Sequence, residues 1–223
     1  MKDYNQSEYR ELINTVSQAV YKKITENKSE LVLPEKIQVE VSSRHAHLNQ
    51  ESLEVLYGKD YKLNKLRDLS QPGEFACTET IMLVSPKKMR TIEKVRILGP
   101  LRDYTQVELS FTDGIFLGLE LPIRISGDIK NSEPITLVGP KGALTLKEGA
   151  IRAARHIHMT PEDAKQFKVK NHDIVNVEIS GKYGAIFKDI VIRVSADSKL
   201  ALHLDTDEGN AANVKVNTHA RIL

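Results

Sequence analysis

The chain has 223 residues, room for one large domain or two small ones, and its 40% hydrophobic and 28% charged residues are ordinary for a globular protein. Lys+Arg of 32 against Asp+Glu of 30 leave a net charge of +2, too balanced for wholesale binding of nucleic acid. A single cysteine, Cys77, excludes an internal disulfide, and neither a membrane-spanning apolar run nor a signal peptide is visible, so the expectation is a soluble cytoplasmic protein.

The first predicted element is an amphipathic helix over residues 7–27. Ser7 is its N-cap, Glu8 and Glu11 suit the positive end, and Tyr9, Leu12, Ile13, Val16, Val20 and Ile24 recur at helical spacing. It reads either as a helix docked on the body or on a second subunit, or as a detachable targeting helix. A hinge, "KSELVLP", follows, so that residues 1–33 stand as N-terminal helix and hinge.

From Lys36 the apolar period changes to two. "KIQVEVS", "ETIMLVS", "EKVRILG", "TQVELSF", "LPIRISG", "ITLVG", "DIVNVEIS", "KDIVIRVS" and "LALHLDT" read as half-buried strands. Turns at Gln71-Pro72-Gly73, Ser85-Pro86, Gly99-Pro100, Gly139-Pro140-Lys141-Gly142 and Gly181 separate them, a spacing that predicts barrels or sandwiches. Only two internal stretches read as helices: "QESLEVLYG" behind the N-cap Asn49, and "PEDAKQF" behind the N-cap Thr160 with Pro161 in first position.

Each of these helices directly follows the pattern Arg-His-X-His, "RHAH" at 44–47 and "RHIH" at 155–158, which holds four of the seven histidines. The unit of strand, Arg-His-X-His and short helix is therefore an internal repeat, and its length suits duplicated small β domains. In an extended segment side chains two apart share a face, so each His pair can grip one ion. Zinc needs three or four protein ligands, and His203 and Glu108 occupy similar strand ends ahead of the related endings "DTDE" and "FTDG". We group His156, His158 and His203 as one metal site and His45, His47 and Glu108 as the other. His172 and His219 have no such company and read as surface residues. Arg44 and Arg155 should point away from the ligand face and join the repeat to the neighbouring barrel. His-X-His-X3-Glu also matches part of the cupin metal motif, but Glu51 and Glu162 follow N-caps, where the helix dipole already explains them.

"VSSRHAHLNQESLEVLYG", "LRDLSQPGEFACTET", "VRILGPLRDYTQVELSFTD", "RISGD", "LVGPKG", "RHIHMTPEDA" and "LHLDTDEGNAA", in this order from about residue 41 to 212, resemble the PduL-type phosphotransacylases, the phosphate propanoyltransferases. The resemblance implies a mainly β fold of two small β-barrels capped by short helices, 44–154 and 155–223, with strand 34–43 crossing to complete the second. It implies two Zn2+ between the barrels, held by the six ligands named above. It also implies Arg102 as the phosphate-binding arginine and coenzyme A contacts at Ser42, Arg67, Arg96, Leu98 and Asn210. A homodimer is implied, and the N-terminal helix is a candidate for engaging shell or cargo proteins of a bacterial microcompartment. Gly209 stands where the family has Ala and is expected to loosen the loop beside Asn210. Cys77, also at an Ala position, reads as a small buried residue.

The implied reaction converts acyl-CoA (propionyl or acetyl) and phosphate into acyl-phosphate and CoA. Phosphate is already a nucleophile and a thiolate leaves readily, so the absence of a visible Ser-His-Asp arrangement fits. The His45/His47/Glu108 ion is the one expected to meet the CoA sulfur, a soft donor. Two other enzymes remain as alternatives, a bicupin-like metal oxygenase or decarboxylase, separable by metal identity, and a zinc thioester hydrolase, separable by phosphate dependence. A non-catalytic zinc or CoA-binding module is the alternative of another class, separable by turnover.

Overall fold

The computed structural model describes residues 13–18 and 36–223. Residues 13–18 are helical and carry exposed Ile13 and Val16. Ser7, the rest of the helix expected over 7–27 and the hinge at 28–34 lie outside the described residues. No described helix is long and apolar enough to cross a membrane.

Residues 36–223 form one compact unit, mainly β. In chain order it comprises β1 (Ile37–Ser42), β2 (His45–His47), α1 (Gln50–Tyr57), β3 (Lys65–Asp68), β4 (Phe75–Val84), β5 (Thr91–Gly99), β6 (Gln106–Glu108), α2 (Phe111–Leu117), β7 (Ile123–Arg124), β8 (Glu133–Val138) and β9 (Ala143–Ala153). There follow β10 (His156–Met159), α3 (Pro161–Gln166), β11 (Ile174–Ile179), β12 (Ile186–Val194), β13 (Ala201–Asp205), α4 (Thr206–Ala211) and β14 (His219–Ile222).

Two closed six-stranded barrels result. In the first, the hydrogen-bonded circuit is β4-β5-β2-β6-β9-β8 and back to β4, with β3 and β7 added at its edges. In the second it is β1-β13-β10-β12-β11-β14. The ladders match strand for strand. β2 lies parallel to β5 and antiparallel to β6, as β10 lies to β12 and β13. β6 is parallel to β9, as β13 is to β1.

The strand that closes each barrel leads straight into the His-X-His strand of the other. β1 pairs with β13 and β14 of the second barrel and then continues into β2 of the first. β9 pairs with β6 and β8 of the first barrel and then continues into β10 of the second. Alternation builds the two cores. Ala46, Leu48, Ile81, Leu83, Ile97, Val107, Ile135 and Leu137 fill the first; Ile37, Val39, Ile157, Met159, Ile190, Ile192, Leu202 and Leu204 fill the second.

Both predicted internal helices form with the predicted caps: Asn49 Oδ1 accepts from Ser52 N, and Thr160 with Asp163 makes a capping box. Two further helices, α2 and α4, were not read as such. Each opens with a capping box, Ser110 with Asp113 and Asp205 with Glu208, at or one residue ahead of the related endings "FTDG" and "DTDE". The strand "TQVELSF" accordingly ends at Glu108, because Ser110 is already a cap, and "LPIRISG" contributes only the two residues of β7. The long β9 was missed because "KEGA" interrupts its alternation.

Two close approaches fix glycines. A Cβ on Gly139 would stand 2.5 Å from the Leu56 carbonyl oxygen, so the β8–β9 turn can lie against the end of α1 only as glycine. Gly209 does not sit in a loosened loop; it is buried within α4, where a Cβ would meet Val41 Cγ2 at 2.5 Å. Cys77 is fully buried, which pushes its thiol up to about 11.

Ile37 sits at the start of β1 with no exposed surface, inside the second core. Ile37→Ala should therefore destabilise the folded chain by about 2–5 kcal/mol in urea unfolding, the usual cost of a large-to-small core change. An effect below about 0.5 kcal/mol would mean that β1 is dispensable to that barrel.

Candidate metal centre

In β2 the middle residue, Ala46, packs into the first core, so the alternation of the strand turns His45 and His47 to the other face. Val107 does the same for β6, leaving Gln106 and Glu108 on that face. In the second barrel Ile157 fixes His156 and His158, and Leu202 with Leu204 fixes His203. Register completes the sets: His45 lies opposite Glu108 and His156 lies opposite His203.

Each set brings one donor atom from every member to within 4.8 Å of the others. His45 Nε2 stands 3.5 Å from Glu108 Oε2, and His47 Nε2 stands 3.9 Å from Glu108 Oε1. His156 Nε2 and His158 Nε2 are 3.1 Å apart. Two donors each about 2.0–2.1 Å from a tetrahedral ion would stand about 3.3–3.4 Å apart, so both sets are close to ligand spacing.

The protonation pattern agrees. His45 Nδ1 and His156 Nδ1 each donate to a backbone carbonyl two residues back, Ser43 and Ala154, both at 2.8 Å. In the neutral ring that leaves Nε2 as a bare lone pair aimed at the set. Burial pushes His47 down to about 2, helped by the nearby charge of His45 and Arg102. Burial, then His203 and Arg193, push His158 down to about 3, and burial with the two companion imidazoles pushes His156 well below its ordinary range. His203 Nε2 is buried without a hydrogen-bond partner, although Glu40 Oε2 lies 3.3 Å away, and His47 Nδ1 is likewise unpartnered. A buried imidazole nitrogen without a hydrogen-bond partner, as His203 Nε2 is beside His156 and His158, is what a metal ion satisfies.

Glu108 is held for the same use. Gln106 Nε2 and Ser126 Oγ both donate to its Oε1 at 2.7 Å, which leaves Oε2 toward His45. Glu51 and Glu162, the acids of the partial cupin match, are exposed in the first turns of α1 and α3 and belong to neither set.

A cavity of about 410 Å³ is lined by all six ligand residues. Arg102 faces it, donating to Tyr104 Oη (2.9 Å), Ser126 Oγ (3.1 Å) and Glu74 Oε1 (3.1 Å). Ser42, Arg67, Arg96 and Leu98 line the same cavity. Asn210 does not; it is exposed on α4. His172 is exposed and His219 half-buried on β14.

Sequence reading missed Arg193, which lines the cavity opposite His158 in register. Among the described residues its guanidinium has no acid or carbonyl partner. Its place follows from the parallel pairing of β10 with β12, which no local pattern announces. Arg44 and Arg155 do not reach across to the neighbouring barrel. Arg44 pairs with Asp113 and Arg155 with Glu208, each the capping-box acid of the helix just after the third ligand of its own set.

An unfolded chain protonates these imidazoles near pH 6.5, whereas in the folded chain they stay neutral down to about 3. Between those values the unfolded state binds more protons, so acid favours unfolding. The melting temperature of chelator-treated protein should fall as pH is lowered from 7.5 through 6.5 to 5. A melting temperature that holds level or rises over that range would contradict the neutral, buried imidazoles.

A family model described as phosphate propanoyltransferase matches residues 38–215. A phosphate propanoyltransferase of Lachnoclostridium phytofermentans is 50% identical over 187 residues, 84% of this chain and 87% of that protein. One from Priestia megaterium is 53% identical over 171 residues, 77% and 78%. One from Clostridioides difficile is 43% identical over 210 residues, 94% and 98%.

Proposed function

The chain belongs to the phosphate propanoyltransferase family of acyltransferases, and from that premise we propose that it interconverts acyl-CoA plus phosphate with acyl-phosphate plus CoA, with zinc in both ligand sets. The observation that carries this reading is the convergence of both sets and of Arg102 and Arg193 on one cavity. Zinc suits three-residue sets rich in imidazole, and such sets leave a coordination position open. Once bound there, the ions supply Lewis acidity for the thioester carbonyl and the departing thiolate.

The side chains do the rest. Arg102 offers a planar fork for phosphate oxygens, and its present partner Glu74 is 36% exposed, an ion pair that an incoming dianion can outcompete. Arg193, which pairs with no acid or carbonyl among the described residues, offers a second cation from the opposite barrel. Phosphate dianion needs no base to attack, so bringing two anions together is the main barrier, and fixed cations in a partly dry cavity lower it. Ser42, Arg67, Arg96 and Leu98 are the CoA contacts within the cavity, and Asn210 is a CoA contact outside it. Propionyl and acetyl chains differ by one methylene, worth about 1–3 kcal/mol in a pocket, and the acyl group of the proposed reaction is one of these two.

Two expectations rest on the family likeness alone. One is a homodimer, for which the exposed Phe111 and Ile115, one turn apart on α2, are a suitable apolar face. The other is delivery of a cytoplasmic enzyme into a bacterial microcompartment by residues 1–27.

Thiol release from propionyl-CoA should require both phosphate and zinc when measured on chelated and zinc-restored enzyme. Release without phosphate would make the protein a hydrolase, and no release under any condition would leave a binding module. Arg102→Ala should lower kcat/KM for phosphate by about 10²–10³-fold, the usual cost of losing a group that stabilises reacting charge. Unchanged phosphate kinetics in that variant would remove Arg102 from the site.

A further inference from the structure

Both His-X-His strands are preceded by an arginine that pairs with the capping-box acid of its own barrel. Arg44 Nε donates to Asp113 Oδ2 at 3.1 Å while its Nη2 lies 2.7 Å from Oδ1. Arg155 Nε lies 2.8 Å from Glu208 Oε1. Asp113 is 4% exposed, and both acids also accept the backbone N–H of their helix cap, Ser110 and Asp205.

The two ends of each pair sit beside different ligands. On one side, the peptide joining Ser43 to Arg44 carries the carbonyl that receives His45 Nδ1, and the peptide joining Ala154 to Arg155 carries the one that receives His156 Nδ1. On the other side, the acid lies in the first turn of the helix whose cap stands two residues after the third ligand: Glu108 before Ser110, His203 before Asp205. The arginine therefore ties the peptide whose carbonyl sets the first imidazole's tautomer to the helix that follows the third residue of the set, Arg44 through two guanidinium nitrogens and Arg155 through Nε while its Nη1 donates to the Lys188 carbonyl.

Resting on the metal reading of the site, we propose that Arg44–Asp113 and Arg155–Glu208 are positioning pairs, each tuning the metal affinity of its own ligand set and not of the other. The partners that orient metal-bound imidazoles govern affinity by about 10–100-fold, and here those partners are backbone carbonyls on the peptides that the paired arginines follow. A pair serving only general stability would have no reason to act on one set alone.

The test uses the full chain loaded with Co2+, whose absorption differs between a two-imidazole carboxylate set and a three-imidazole set. Competition with a chromophoric chelator gives the two affinities, and His45→Ala and His156→Ala give single-site reference spectra. Arg44→Gln should weaken the His45/His47/Glu108 set about 10–100-fold and leave the other within about twofold. Arg155→Gln should do the reverse, and Arg44→Lys or Arg155→Lys, which keeps the charge without the fork, should recover part of the loss. Both affinities unchanged in the Gln variants, or both sets weakened equally by either one, would overturn the proposal. Wild-type protein that takes up fewer than two Co2+ would instead overturn the metal reading on which it rests.

Discussion

A β-strand sends successive side chains to opposite faces, and everything at this site depends on that. Ala46, Val107, Ile157 and Leu202 are each fully buried in a barrel core. With those residues committed to the interior, His45, His47, Glu108, His156, His158 and His203 have no choice of face. Hydrophobic packing one residue away thus sets the face of these candidate ligands, hydrogen bonds to His45, His156 and Glu108 fix their orientation, and burial keeps the rings of His47, His156 and His158 uncharged. A one-residue slip in either His strand would exchange ligand and core. The closed ladders on both sides of β2 and β10 prevent it.

Duplication extends the same logic to the space between the barrels. Because the ladders correspond strand for strand, each barrel presents its ligand set at an equivalent position, and the two sets line one cavity. The copies are not identical where the chemistry differs. Glu108 answers to His203, and where Arg96 stands opposite His45 in the first barrel, Val191 stands opposite His156 and Arg193 opposite His158 in the second. One set therefore holds a carboxylate and the other a third imidazole, and a strand arginine stands opposite the first His of one pair and the second His of the other. That asymmetry is what two unlike partners, a thioester and a phosphate, need from a site derived from one repeat.

Much of this was legible in the chain because it is local. The His-X-His spacing, the caps at Asn49 and Thr160 and most of the period-two runs fall within a few residues, and the structure shows them, with "LPIRISG" and "TQVELSF" reduced to short strands. The helices α2 and α4 were equally local, since "SFTD" and "DTDE" spell capping boxes, but poor helix formers such as Gly114 and Gly209 hid them. What could not be read needed pairing. Arg193 reaches the cavity through a parallel ladder, Ser126 reaches Glu108 from the loop after β7, and the partners of Arg44 and Arg155 lie 69 and 53 residues further along the chain (44 to 113, 155 to 208). Expecting those arginines to bridge the barrels took the strand exchange for a side-chain contact; the backbone makes the bridge.

That exchange has a bearing on how the chain is made. The first barrel closes with β2, β4, β5, β6, β8 and β9, all contained in a continuous stretch, so it can be completed while the rest of the protein is still being synthesised. β1 leaves the ribosome before any of these, yet its partners β13 and β14 come last; Val39 lies opposite Leu202 and Ile37 opposite Ala220. The earliest strand of the unit must keep both its edges unpaired until the final segment arrives. In folding terms the second barrel is a long-range closure imposed on an already finished first one, and the same closure brings the two ligand sets together.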